Sequence, residues 1–181
     1  MLIAGVAALA GVAAWALMRG SPAAADYERG KRLAAIQMDV EAKEAYEAAI
    51  KADPRYSLSY RGLAELAEAH GALPEAIDYW RQYIQRAPDA EHVRCKLAII
   101  EQRAGEEVAA LRDAEDELKR VPGCPDAHLT AGTLYVRKQN AKLALQHLEP
   151  AARAFPGRAQ VQLELGRILA LTASTITRKK S

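Results

Sequence analysis

Tyr60-Arg-Gly-Leu-Ala-Glu-Leu-Ala-Glu-Ala-His-Gly-Ala-Leu-Pro-Glu-Ala-Ile-Asp-Tyr-Trp-Arg-Gln-Tyr-Ile-Gln-Arg-Ala-Pro88 carries two amphipathic patterns separated by a turn. Tyr60, Leu63, Ala64 and Ala67 fall at i, i+3, i+4 and i+7, one face of a helix. Gly71 stands where a left-handed C-cap ends that helix, and His70 in its last turn suits the helix dipole. Ala76, Ile77, Trp80, Tyr83 and Ile84 repeat the pattern, and Pro88 stops it. One helical hairpin buries too little apolar surface to stand alone, so this one requires neighbours of its own kind.

The chain supplies them at a fixed period. Steps of 34 residues connect Pro54, Pro88, Pro122 and Pro156, and likewise Ala42, Ala76, Ala110 and Ala144. The same step connects Gly30, Ala64, Ala98, Gly132 and Gly166. A 34-residue helix-turn-helix period with small residues at the helix contact, Ala in the second helix and Pro at its end resembles the tetratricopeptide repeat family. The resemblance implies an all-α, right-handed superhelix (an α-solenoid) of about four repeats plus a C-terminal capping helix.

The expected organisation is an apolar segment over 1–19, a linker over 20–25, four repeats over 26–156, a capping helix over 157–173 and a basic tail over 174–181. The first repeat's turn, Gln37-Met38-Asp39, lacks the usual Gly, so its boundaries are soft. The third repeat places Arg94, Glu101, Ala114 and Glu117 where the family prefers aromatic or small residues, and is expected to be the loosest. In the fourth, Pro150 removes one backbone bond and should kink or shorten the second helix. Leu163, Ile168 and Leu171 make the capping helix rather apolar for a solvent-facing end.

Leu2–Met18 is uncharged and apolar; as a helix it reaches about 25 Å, just short of a hydrocarbon core. With Trp15 and Arg19 as interfacial anchors it reads as a single-pass transmembrane helix, in bacteria one of the cytoplasmic membrane. Ala23-Ala24-Ala25 keeps a cleaved signal peptide as the alternative. Ala4/Ala8, Ala7/Gly11 and Ala10/Ala14 have the spacing that lets membrane helices approach closely. Arg19, Arg29, Lys31 and Arg32 follow the run and nothing basic precedes it, which favours cytoplasmic over periplasmic repeats.

A net charge of +2 gives no concentrated basic face, which argues against nucleic acid as a partner. No phosphate loop, His-Glu-x-x-His or nucleophile elbow is present, so neither catalysis nor a cofactor is expected. His92, Cys95, Cys124 and His128 lie near the starts of the third and fourth repeats. They read as plain thiols and helix-start imidazoles, as a Cys95–Cys124 disulfide, or as a tetrahedral metal set.

In the family the first helices of successive repeats line a concave groove. Carried onto this chain, the resemblance implies groove positions at Tyr27 and Lys31, then Leu58, Arg61, Glu65 and Glu68. His92, Ile99 and Gln102 follow in the third repeat, Leu129, Thr133 and Val136 in the fourth, and Leu163 and Arg167 in the cap. Mixed apolar and charged groups suit an extended peptide or a partner helix. The places that clamp a chaperone's C-terminal carboxylate in some members hold Tyr27, Lys31, Gly62, His92 and Lys96 here, and both Asn are missing. The expected function is a non-enzymatic, membrane-anchored scaffold that assembles or stabilises a membrane-associated complex. The alternatives are a chaperone-like accessory of envelope protein biogenesis, of translocon or cytochrome c maturation type, and a structural subunit of a membrane complex.

Overall fold

The computed structural model describes residues 21–178, the last five by their backbone alone. Among them are nine α-helices and no strand, in two compact units divided after Pro88. The first unit contains α1 (Pro22–Ala35), α2 (Asp39–Ala52), α3 (Ser57–Ala69) and α4 (Leu73–Arg86). The second contains α5 (Val93–Ala104), α6 (Glu107–Arg120), α7 (Pro125–Arg137), α8 (Ala141–Ala154) and α9 (Ala159–Arg178). Four antiparallel hairpins, α1/α2, α3/α4, α5/α6 and α7/α8, therefore occupy the predicted repeats.

All four hairpin turns are the same turn. The amides of Met38, Ala72, Glu106 and Asn140 donate to the carbonyls of Leu33, Ala67, Glu101 and Tyr135, at 2.8–3.0 Å. This six-to-one bond closes the helix only if the residue before the donor is left-handed. Those residues are Gln37, Gly71, Gly105 and Gln139, with φ of 62°, 71°, 84° and 56°. The first turn is thus as well defined as the others, although Gln stands in the glycine position.

The first and fourth hairpins close by pairing a small residue with a large one. A Cβ on Gly30 would lie 2.7 Å from the Tyr46 ring, and one on Gly132 would lie 2.7 Å from Leu148. Tyr46 also meets Gly62 of the next hairpin, where a Cβ would come within 2.6 Å of its ring. In the α3/α4 hairpin Ala64 and Trp80 are both buried, and Tyr83 packs edge-on against Trp80 at 5.8 Å. Burying a side chain such as Trp80 contributes about 3 kcal/mol. Exposed ion pairs such as Lys43–Glu75 (3.4 Å) and Arg158–Asp126 (2.7 Å) each contribute less than about 1 kcal/mol. Apolar packing between helices therefore holds each unit, and the ion pairs decorate it.

Several expectations change. The predicted linker is the first turn of α1: Ser21 accepts a hydrogen bond from the Ala24 amide at 3.0 Å, and Pro22 takes the first helical position, where its missing N–H costs nothing. Pro150 does not shorten α8, which has the same 14 residues as α2, α4 and α6. The carbonyl it leaves unbonded belongs to exposed Gln146, while buried Leu148 and Ala151 keep the helix packed on both sides of it. The last helix continues to Arg178, so part of the predicted basic tail is helical. Among the described residues no helix is long and apolar enough to cross a membrane. The predicted anchor over 1–19, with Ala4, Ala7, Ala8, Gly11 and Ala14, lies outside them.

Candidate functional site

In the first unit α1 and α3 form one wall of side chains over Tyr46 of α2. Tyr27 is half-buried, its ring 5.8 Å from Tyr46 and 5.6 Å from Tyr56. Gly30 and Gly62 let the Tyr46 ring lie flat against both helices, and Leu33, Leu63 and Leu66 pack around it. Beside it opens a cavity of about 560 Å³, lined by Ala34, Gln37, Asp39, Tyr46, Gly62, Glu65, Leu66 and Ala69. Burial, reinforced by Tyr27, Glu65 and Glu28, pushes the Tyr46 phenol up to about 12, so it stays a neutral group on the cavity floor.

The charged positions of this groove are already paired along the helices. Exposed Arg61 donates to Glu65 at 2.8 Å, and exposed Lys31 lies 3.6 Å from Glu28. Leu58 is half-buried. Glu68 accepts the Trp80 indole N–H at 2.6 Å, so its carboxylate ties α3 to α4. Tyr46 is the residue that sequence reasoning missed here. It lies on a second helix, and a first-helix register cannot find it; its signal was an aromatic ring facing two glycines.

The second unit treats the predicted groove differently. His92 is exposed, while Ile99 and Gln102 are half-buried. Leu129, Thr133 and Val136 are buried, which corrects their reading as a ligand surface. Leu129 and Val136 share one apolar cluster with Val161 and Ile168 of α9, so the last helix covers that face. On α9 itself Leu163 is 53% exposed, and exposed Arg167 donates to Glu164 at 3.1 Å.

The His and Cys residues at the repeat starts separate into two places. His128 donates through Nε2 to the Pro122 carbonyl at 3.0 Å. Tyr60 donates in the same way to Pro54 (3.2 Å) and Gln162 to Pro156 (3.2 Å), so this position fastens the loops that enter the second hairpin, the fourth hairpin and the last helix. With Nε2 as donor, neutral His128 offers a lone pair at Nδ1, and His147 Nδ1 at 3.1 Å supplies the proton. Burial, then the neighbouring His128, holds the His147 imidazole below its usual range, and Tyr135 stacks on it at 5.6 Å. His128 is thereby occupied and does not join His92, Cys95 and Cys124.

His92 and Cys124 gather around a residue from another helix, Glu117, and Cys95 adjoins Cys124. His92 precedes α5, Cys95 lies on α5, Glu117 on α6, and Cys124 at the N-cap of α7. Both cysteines are buried free thiols, so the expected disulfide alternative is absent. Burial and a hydrogen bond with Cys124 raise the Cys95 thiol well above its usual range. His92 Nδ1 lies 3.5 Å from Glu117 Oε1. One donor atom each from His92, Glu117 and Cys124 lies within 4.8 Å of the others.

Residues 41–91 and 129–173 match the tetratricopeptide repeat family, together more than half of the chain, and the protein belongs to that family. The two matched stretches leave out 92–128, the segment that holds the whole His92–Cys124 cluster. The human interferon-induced protein with tetratricopeptide repeats 2 is 27% identical over 132 residues, 69% of this chain. The chain spans 28% of that relative's length. The crystal structure of the MamA protein has a TM-score of 0.77 at 17% identity, over 85% of this chain and 84% of that one. That of YrrB, a TPR protein with an unusual peptide-binding site, has a TM-score of 0.66 at 13% identity, over 86% and 91%. At these identities the structural likeness establishes the fold.

Proposed function

We propose that the protein is a non-enzymatic scaffold that holds an extended peptide or a helix of a partner protein in the groove of its first unit. The observation that supports this reading is the open cavity of about 560 Å³ beside the Tyr46 ring, lined by exposed Glu65, which holds exposed Arg61 in turn. An apolar floor with one neutral phenol suits an apolar anchor side chain, and the Arg61–Glu65 pair can open to meet a backbone carbonyl or a partner's charge. That YrrB has a peptide-binding site is consistent with such use of this fold. The apolar run before Arg19 anchors the scaffold to a membrane with its repeats on the cytoplasmic side, which concentrates it near a membrane-associated complex.

Arg61→Glu tests the groove. Arg61 is exposed, so the substitution leaves the core intact; partners recovered with the full chain should fall about tenfold or more. Recovery at the wild-type level, from a variant with unchanged helicity, would rule the groove reading out.

A further inference from the structure

We propose that the third hairpin carries a zinc site, with His92, Cys95, Glu117 and Cys124 as ligands drawn from α5, α6 and the start of α7. This rests on the second unit alone and is independent of the groove reading.

Glu117 is the first reason. It is only 1% exposed, yet its Oε1 accepts no hydrogen bond from the protein. A buried carboxylate normally collects two or more donors, and one without them is poorly placed unless a cation completes it. What faces that oxygen is His92 Nδ1 at 3.5 Å. The Cys124 sulfur lies in the same group within 4.8 Å, and the Cys95 thiol is hydrogen-bonded to Cys124.

The donor set selects the metal. Two thiolates and an imidazole exclude calcium and magnesium, which take oxygen ligands. A carboxylate in the fourth place suits zinc better than copper(I), which prefers an all-soft set. In tetrahedral zinc the ligand atoms lie about 3.5 Å apart, so the donors of His92, Glu117 and Cys124 need to move inward by about 1 Å, and Cys95, which lies outside that group, has to follow Cys124 to become the fourth ligand. His92 can make that movement, because its side chain is 59% exposed and its ring is not locked into the core. The backbone already presents it: His92 sits in the left-handed region (φ 60°) at the start of α5, which brings its ring over α6. Zinc would convert the two thiols to thiolates and release two protons to solvent, with no change of oxidation state. The bound ion would fasten the third hairpin to the first helix of the fourth.

Cobalt(II) is the probe, titrated into the reduced full chain. One equivalent should produce a near-ultraviolet thiolate-to-cobalt charge-transfer band and the visible bands of a tetrahedral ion, both bleached by one equivalent of zinc. Cys124→Ser, which leaves Cys95 as the one thiolate, should cut the charge-transfer band to about half or less. His92→Ala alters an exposed side chain, and Glu117→Gln keeps its volume; each should weaken zinc binding by about tenfold or more without loss of helicity. Absence of the charge-transfer band with both thiols reduced would overturn the site. So would zinc affinity that neither His92→Ala nor Glu117→Gln changes.

Discussion

The four hairpin turns place two glycines and two glutamines in the same left-handed conformation, which makes them a controlled comparison. A side chain in that region costs about 1–2 kcal/mol, whereas glycine is free of the clash but loses more chain entropy on folding. Nothing lies within 4 Å of a Cβ built on Gly71 or Gly105, so the difference at these turns is one of backbone alone. Gln37→Gly and Gln139→Gly should therefore each stabilise the protein by about 0.5–1 kcal/mol. Gly71→Ala and Gly105→Ala should each cost about 1 kcal/mol. Urea denaturation of the four variants measures this, and a loss of stability in both glutamine variants would contradict the shared-turn account.

Between elements, residues that are equivalent by period are unequal by contact. Gly30, Gly132 and Gly166 share one register, but only the first two meet a large side chain from the second helix of their hairpin. Gly30→Ala and Gly132→Ala force Tyr46 or Leu148 to move and should each destabilise the protein by about 1–3 kcal/mol. Gly166 is exposed on α9 with nothing within 4 Å of its added Cβ, so Gly166→Ala should instead gain about 1 kcal/mol of helix propensity. Thermal midpoints of the three variants must therefore shift in opposite directions. A fall in all three would mean that α9 packs on another surface through Gly166.

For the whole molecule, the membrane anchor is the proposal with the widest consequences. The full chain should sediment with membranes and resist extraction by high salt, because an apolar helix is held by hydrophobic transfer and not by charge. Removing residues 1–19 should release the repeats into the soluble fraction with their helicity intact. Recovery of the full chain in the salt wash would reject the anchor.

The repeat architecture was legible because it is one-dimensional: a helix-turn-helix period repeats in sequence as it does in space. Boundaries were less so. Ser21–Pro22 starts a helix that its small, Ala-rich context disguised as a linker, and Gln37 and Gln139 adopt a turn that composition assigns to glycine. The candidate sites were least legible, because they depend on which helix covers which. The 34-residue register by itself determined the family, the hairpins and the positions of their close contacts. Only the tertiary structure decided that α9 buries Leu129 and Val136, that His128 fastens a loop, and that Glu117 replaces it beside His92 and Cys124. The physical reason is that helical periodicity specifies which face of a helix is apolar. Which neighbour meets that face, and how closely, follows from packing between segments distant in sequence.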